Sequence, residues 1–163
     1  MRNLAICVLG HRNSGKSTTW YDLFGSRVKT GKEIRRLYLN EEEFVEVFLV
    51  SGSPEERHAY VGDLIGDKKP RIILCSMQYI DGVRSTIDYF LENEYEINCQ
   101  WLNPGHQDHF DIQMFDHLGL NNYLLARNAV VSIQNGKINT SKRIQLIKDV
   151  IYGWAKFEGL IKK

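Results

Sequence analysis

The chain has 163 residues, of which 43% are hydrophobic and 25% charged, with a formal net charge of +1. That length suits one domain, 1–163, with a sizeable core. The near-neutral balance gives no electrostatic pull toward nucleic acid or an anionic membrane surface. No apolar run approaches the length of a membrane-crossing helix, and Met1-Arg2-Asn3 leads straight into an apolar stretch, without room for a signal peptide. Cys7, Cys75 and Cys99 are odd in number, widely spaced and set among apolar neighbours. They read as reduced core thiols of a cytoplasmic protein, not as disulfides or a metal centre.

In chain order, Leu4-Ala5-Ile6-Cys7-Val8-Leu9 comes first, an unbroken apolar run that suits a strand buried on both faces. Gly10-His11-Arg12-Asn13-Ser14-Gly15-Lys16-Ser17 follows and reads G-x-x-x-x-G-K-S, a phosphate-binding loop of the Walker A type. Ser17 to Phe24 continues as a helix that stops at Gly25. The residue types have a chemical reason. Gly10 and Gly15 allow backbone angles closed to other residues, so that successive N–H groups turn inward on a phosphate chain. The helix N-terminus points its dipole at the same anion. Lys16 reaches the β- and γ-phosphates and the Ser17 hydroxyl ligates Mg²⁺. The candidate binding residues are therefore Gly10, His11, Arg12, Asn13, Ser14, Gly15, Lys16, Ser17 and Thr18, with Lys16 also catalytic and Ser17 also a metal ligand.

Beyond a polar connection, Ser26 to Lys32, the stretches Glu33–Leu39 and Phe44–Val50 read as strands around an Asn40-Glu41-Glu42 turn, an antiparallel hairpin. Ser51-Gly52-Ser53-Pro54 breaks the second strand. Pro54 suits the first turn of a helix running through Glu55-Glu56-Arg57 to Leu64, with Ser53 as N-cap. Arg71–Ser76 is a short strand, and Asp81 caps a helix carrying Val83, Ile87, Phe90 and Leu91 on one face. Glu96–Leu102 is the next strand, closed by Asn103-Pro104-Gly105, with a helix around Phe110 to His117 ending near Gly119. Ala129–Ile133 is the last strand, followed by an Asn135-Gly136 turn and a helix from Ser141 to Phe157. Such alternation implies a mainly parallel sheet with helices on both faces.

Together, the Walker A stretch and this order resemble the Ras-like and Arf-like small GTPase domain. The resemblance covers the whole chain as topology, and its sequence-specific part is the loop. It implies an α/β, three-layer P-loop NTPase fold: a mainly parallel six-stranded sheet with one antiparallel hairpin strand. It also implies a nucleoside triphosphate, ATP or GTP, held with Mg²⁺, slow hydrolysis, and a nucleotide-dependent switch or accessory subunit read by a protein partner near Thr30 and Ser51. By the same resemblance Thr30 senses Mg²⁺ and the γ-phosphate, Ser51 stands on the metal side at the strand end, and Ser132 lies beside the base. Glu55 and Glu56 are the carboxylates that would orient an attacking water. The family's Asp at the second hairpin strand's end is absent from Val50-Ser51-Gly52-Ser53. Its Asn-Lys-x-Asp motif is replaced by Asn103-Pro104-Gly105-His106-Gln107-Asp108, which leaves Asn103 and Asp108 as candidate base contacts.

Two other readings share the loop. Small P-loop kinases for nucleosides or metabolites have a similar alternation, with Arg84 as a phosphate contact, but the arginines that clamp a transferring phosphoryl group are missing between Trp101 and Leu125. A catalytically inactive interaction module would keep the fold alone. The run His106, Asp108, His109, Asp111 and His117 fits a polar loop entering a helix better than any metal-ligand spacing.

Overall fold

The structure, a computed structural model, describes residues 1–105 and 116–163. Its strands are β1 (Asn3–Gly10), β2 (Arg35–Tyr38), β3 (Phe44–Val50), β4 (Ile72–Gln78), β5 (Tyr95–Leu102) and β6 (Val130–Gln134). The helices are α1 (Lys16–Phe24), α2 (Val61–Ile65), α3 (Val83–Glu92), α4 (Leu120–Leu125) and α5 (Ser141–Phe157), with a 3₁₀ turn at Gly66–Lys68. The six strands form one sheet in the order β2-β3-β4-β1-β5-β6, with β2 antiparallel to β3 and every other pair parallel. The expected α/β class and the mostly parallel six-stranded sheet are thus what the chain adopts.

Alternation along β1 divides the core. Ala5, Cys7 and Leu9 face α2, α3 and α4 through Val61, Ile65, Val83, Ile87, Phe90, Leu120 and Leu124. Leu4, Ile6 and Val8 face α1 and α5 through Trp20, Leu23, Ile144, Ile147, Ile151 and Ala155. Each side chain of this size withdrawn from water contributes roughly 1.5–3 kcal/mol before the entropy of ordering it. A strand with apolar neighbours on both faces has no polar alternation to show, which is why β1 reads as a continuous apolar run. Trp20 anchors α1 to the sheet, its indole N–H donating to Ser76 Oγ at 2.8 Å inside the core. Parallel register lines up Cys75, Cys7 and Cys99 across three neighbouring strands. All three thiols are free and buried, and burial pushes the Cys99 thiol up to about 12.

The β2–β3 hairpin turns where Asn40 Oδ1 accepts from the N–H groups of Glu42 (3.0 Å) and Glu43 (2.8 Å), an Asx turn. The strand expected over Glu33–Leu39 is shorter, Arg35–Tyr38. Three further expectations are corrected. The helix expected from Pro54 to Leu64 is a closed turn over 54–58 followed by the short α2. His58 takes a left-handed φ of 49° and Tyr60 is extended, so the helical bonds cannot propagate. Ser53 still accepts from Glu56 N–H, at 3.4 Å. The N-cap of α3 is Gly82, with φ 95°, and not Asp81. Gly119 opens a helix instead of closing one, standing before α4 with φ 68°, while most of the helix expected around Phe110 lies outside the described residues. Asp116 holds that opening: its carboxylate accepts from Leu120 N–H (2.9 Å), Asn121 N–H (3.0 Å) and Tyr79 O–H (2.7 Å). No helix among the described residues is long and apolar enough to cross a membrane.

Candidate functional site

The carboxyl end of β1 carries the site. From Gly10 the chain turns through His11–Gly15 into α1, whose N-cap, Gly15, has φ 106°. Both motif glycines are required, for different reasons. A Cβ on Gly15 would be strained by that φ and would meet the Gly136 carbonyl oxygen at 2.5 Å. Gly10 does not take a positive φ, contrary to expectation; its constraint is space, since a Cβ there would stand 2.3 Å from Ser14 Oγ and 3.3 Å from the Leu102 carbonyl oxygen. Asn13, with φ 61°, supplies the remaining reversal.

Lys16 folds back over this loop. Its ammonium donates to the carbonyls of His11 (2.7 Å) and Gly10 (3.1 Å), and the residue is 7% exposed. Burial lowers its pKa, while the negative charges of Glu56 and Glu55 raise it again. Ser14 Oγ is buried and makes no hydrogen bond. An ammonium parked on carbonyls at the wall of a cavity is a group that can exchange them for an anion's oxygens.

The loop floors a cavity of about 900 Å³ whose lining includes Arg12, Lys16, Ser17, Glu56, Gln78 and Lys137. That volume lies within the roughly 300–1,000 Å³ typical of small-molecule sites. The far wall, Gly136 to Thr140, comes from the connection between β6 and α5, and Lys137 Nζ bonds the Asn13 carbonyl. An adjoining cavity of about 640 Å³ shares Ser17, Thr18 and Ser51 with the first. The three expected metal-side residues, Ser17, Thr30 and Ser51, all line this second cavity. Thr30 Oγ accepts from the N–H groups of Ser51 (2.8 Å) and Gly52 (3.4 Å), tying the loop after α1 to the end of β3.

Other candidates fall elsewhere. Glu55 does not line the larger cavity; its neighbour Glu56 does. The Glu55 carboxylate oxygens are sealed from solvent without a hydrogen-bond partner of ordinary geometry. Burial pushes that carboxyl up to about 7 against the backbone N–H groups of Glu55 and Gln78, which pull it down. Asn103, with φ 47°, spends its side chain on the β6–α5 connection: Oδ1 accepts from Gly136 N–H (2.8 Å) and Nδ2 donates to Asn135 Oδ1 (3.0 Å). It positions the wall and does not line the cavity. Ser132 sits inside β6, paired with Gln100, short of the cavity. Arg84 faces away, donating to the Leu118 carbonyl at 2.8 Å and lying over the Tyr123 ring, so it is no phosphate contact here. Asp108, with His106, His109 and Asp111, lies outside the described residues. His117 packs edge-on against Tyr79. Among the described residues no three His, Cys, Asp or Glu side chains gather for a metal.

Of the Glu55-Glu56 pair expected to orient a water, Glu56 is the one at the cavity; the residues missed from the sequence are Gln78 and the Gly136–Thr140 wall. Only the Asn135-Gly136 turn signalled that wall, and it signalled a bend without saying what the bend approaches. No family model, curated protein or solved structure matches the chain significantly.

Proposed function

We propose that the chain binds a nucleoside triphosphate with Mg²⁺ and acts as a nucleotide-dependent switch. The observation that carries the reading is Lys16, folded onto the Gly10 and His11 carbonyls at the N-terminus of α1 beneath a cavity of nucleotide size. In this reading the N–H groups of the loop and of the α1 N-terminus hold the phosphates. Lys16 would exchange its two carbonyls for phosphate oxygens, and Ser17 would ligate Mg²⁺. The metal ion, when bound, would neutralise charge on the terminal phosphates. Glu56, the carboxylate among the described residues that lines the same cavity, would hold the metal's hydration shell in the absence of an Asp at the strand end Val50-Ser51. Thr30 and Ser51, already bonded to each other, form the joint at which a terminal phosphate would change loop order, and a protein partner would read that change.

Calorimetric titration of ATP, GTP and their diphosphates with Mg²⁺ tests the reading, with Lys16→Ala beside the unmodified chain. Tight binding abolished by the substitution is the expected result. Failure of every nucleotide to bind would leave the fold as an interaction module.

A further inference from the structure

The smaller cavity has a charge pattern that the nucleotide reading does not use. Among the described residues its lining includes Arg27, Lys29 and Arg57 and no carboxylate. Among the described residues none of these three cations takes part in an ion pair. The chain segment that carries Lys29 is tied down, and the Arg57 stem is set beside Gly52. The Lys29 carbonyl accepts from Arg35 Nη2 (2.8 Å), and Thr30 pins the same loop to Ser51. The Arg57 stem lies along Gly52, so close that a Cβ there would be 3.3 Å from Arg57 Cδ. Like charges collected around one concavity repel each other, and a cleft lined by one sign concentrates the opposite ion. The hydroxyls of Thr18, Thr30 and Ser51 add neutral donors to the same lining, and Tyr21 closes one side.

We infer that this cavity is a second anion site, for a phosphate group carried by a small ligand other than the nucleotide. The inference rests on the nucleotide reading above, because the nucleotide's phosphates have their own cradle at Gly15 and Lys16. A single carboxylate offers two oxygens and one charge to three cations. A phosphate monoester offers three acceptor oxygens and close to two charges, and guanidinium pairs match it with parallel bonds. The shared residues Ser17, Thr18 and Ser51 would set the second ligand next to the terminal phosphate.

The test uses inorganic phosphate as probe, titrated calorimetrically into the whole chain saturated with Mg²⁺ and a non-hydrolysable triphosphate. One phosphate should bind per loaded chain. Arg27→Ala combined with Arg57→Ala should weaken it about tenfold or more while triphosphate affinity stays within about threefold, since two charge-assisted contacts are removed from one ligand only. Both arginines are exposed, and a circular-dichroism melt verifies that the double variant folds. Absence of phosphate binding to the loaded chain overturns the inference. An equal loss of triphosphate affinity in the double variant does so too, since the cations would then serve the nucleotide. Lys16→Ala separates the two readings: it should abolish triphosphate binding and spare arginine-dependent phosphate binding. If the unmodified chain takes no triphosphate yet binds phosphate through Arg27 and Arg57, the nucleotide reading falls and the second site stands.

Discussion

Thr30 Oγ accepts the backbone N–H of Ser51 at 2.8 Å, across a separation of 21 positions. The bond joins the loop after α1, which borders the smaller cavity, to the end of β3, where Ser51 borders both cavities. Thr30→Val keeps the shape and removes the acceptor, leaving a partly buried N–H unpaired, at a cost of about 1–3 kcal/mol. Hydrogen exchange at the Ser51 amide should speed up by about tenfold or more, since 1.4 kcal/mol corresponds to tenfold in an opening equilibrium. Thr30→Ser should restore protection. Unchanged exchange in the valine variant would mean that the joint is held by other contacts.

Gly136 sets the geometry of the loop over His11–Gly15. A Cβ on Gly136 would stand 2.1 Å from the Ser14 carbonyl oxygen, and neither side of that clash is a flexible side chain. Gly136→Ala must therefore push the β6–α5 connection off the loop or push the loop off its path. Triphosphate affinity should fall by about tenfold or more, because displacements near 1 Å cost that much at sites of fixed geometry. Gly153→Ala is the matched control. Gly153 lies exposed in α5 with open space around its Cβ position, so the same chemical change should raise stability by about 0.5–1 kcal/mol and leave binding alone. Equal effects of the two substitutions would contradict the packing described.

Glu56 gives a prediction that depends on the metal. It is the acidic side chain among the described residues lining the larger cavity, and its charge is the strongest one supporting the Lys16 ammonium. Glu56→Gln keeps size and removes charge. Triphosphate affinity measured with Mg²⁺ should drop by about tenfold, the scale of losing an outer-shell metal partner, while affinity in EDTA should hold or rise because an anion no longer faces the phosphates. An unaltered ratio between the two conditions would remove Glu56 from the metal's surroundings.

Most of the fold was legible in the sequence because its signals are periodic. Continuous apolar runs marked β1 and β4 and helical spacing marked α3 and α5, and each reflects burial that the structure shows. Glycine spacing fixed the loop for a local steric reason, so Gly15 and Lys16 could be read without the rest of the chain. The remainder depended on contacts between distant residues. Gly136 and Lys137 reach the site only because β6 runs parallel beside β5, and Asn103 then holds their turn. Which of Glu55 and Glu56 faces the cavity is set by a turn over 54–58 and a left-handed His58, and neither has a periodic signature. Ser132 was placed from a resemblance in strand order, which does not fix where along a strand the site begins.

Glu55 carries the pH dependence of the fold. Burial raises its carboxyl to about 7, from an ordinary value of 4.5. Below 4.5 the group is protonated both folded and unfolded, so it contributes no penalty. Between 4.5 and about 7 the unfolded chain releases the proton while the folded chain keeps it, so stability falls as pH rises; above about 7 the loss is complete. The full penalty is on the order of 3 kcal/mol by the usual conversion. Glu55→Gln holds the neutral shape without the titration. Urea melts at pH 5 and pH 8 should show the variant gaining on the unmodified chain as pH rises, by about that amount. Parallel stability curves across this range would show that the Glu55 carboxyl titrates normally, and so that the turn over 54–58 exposes it to water.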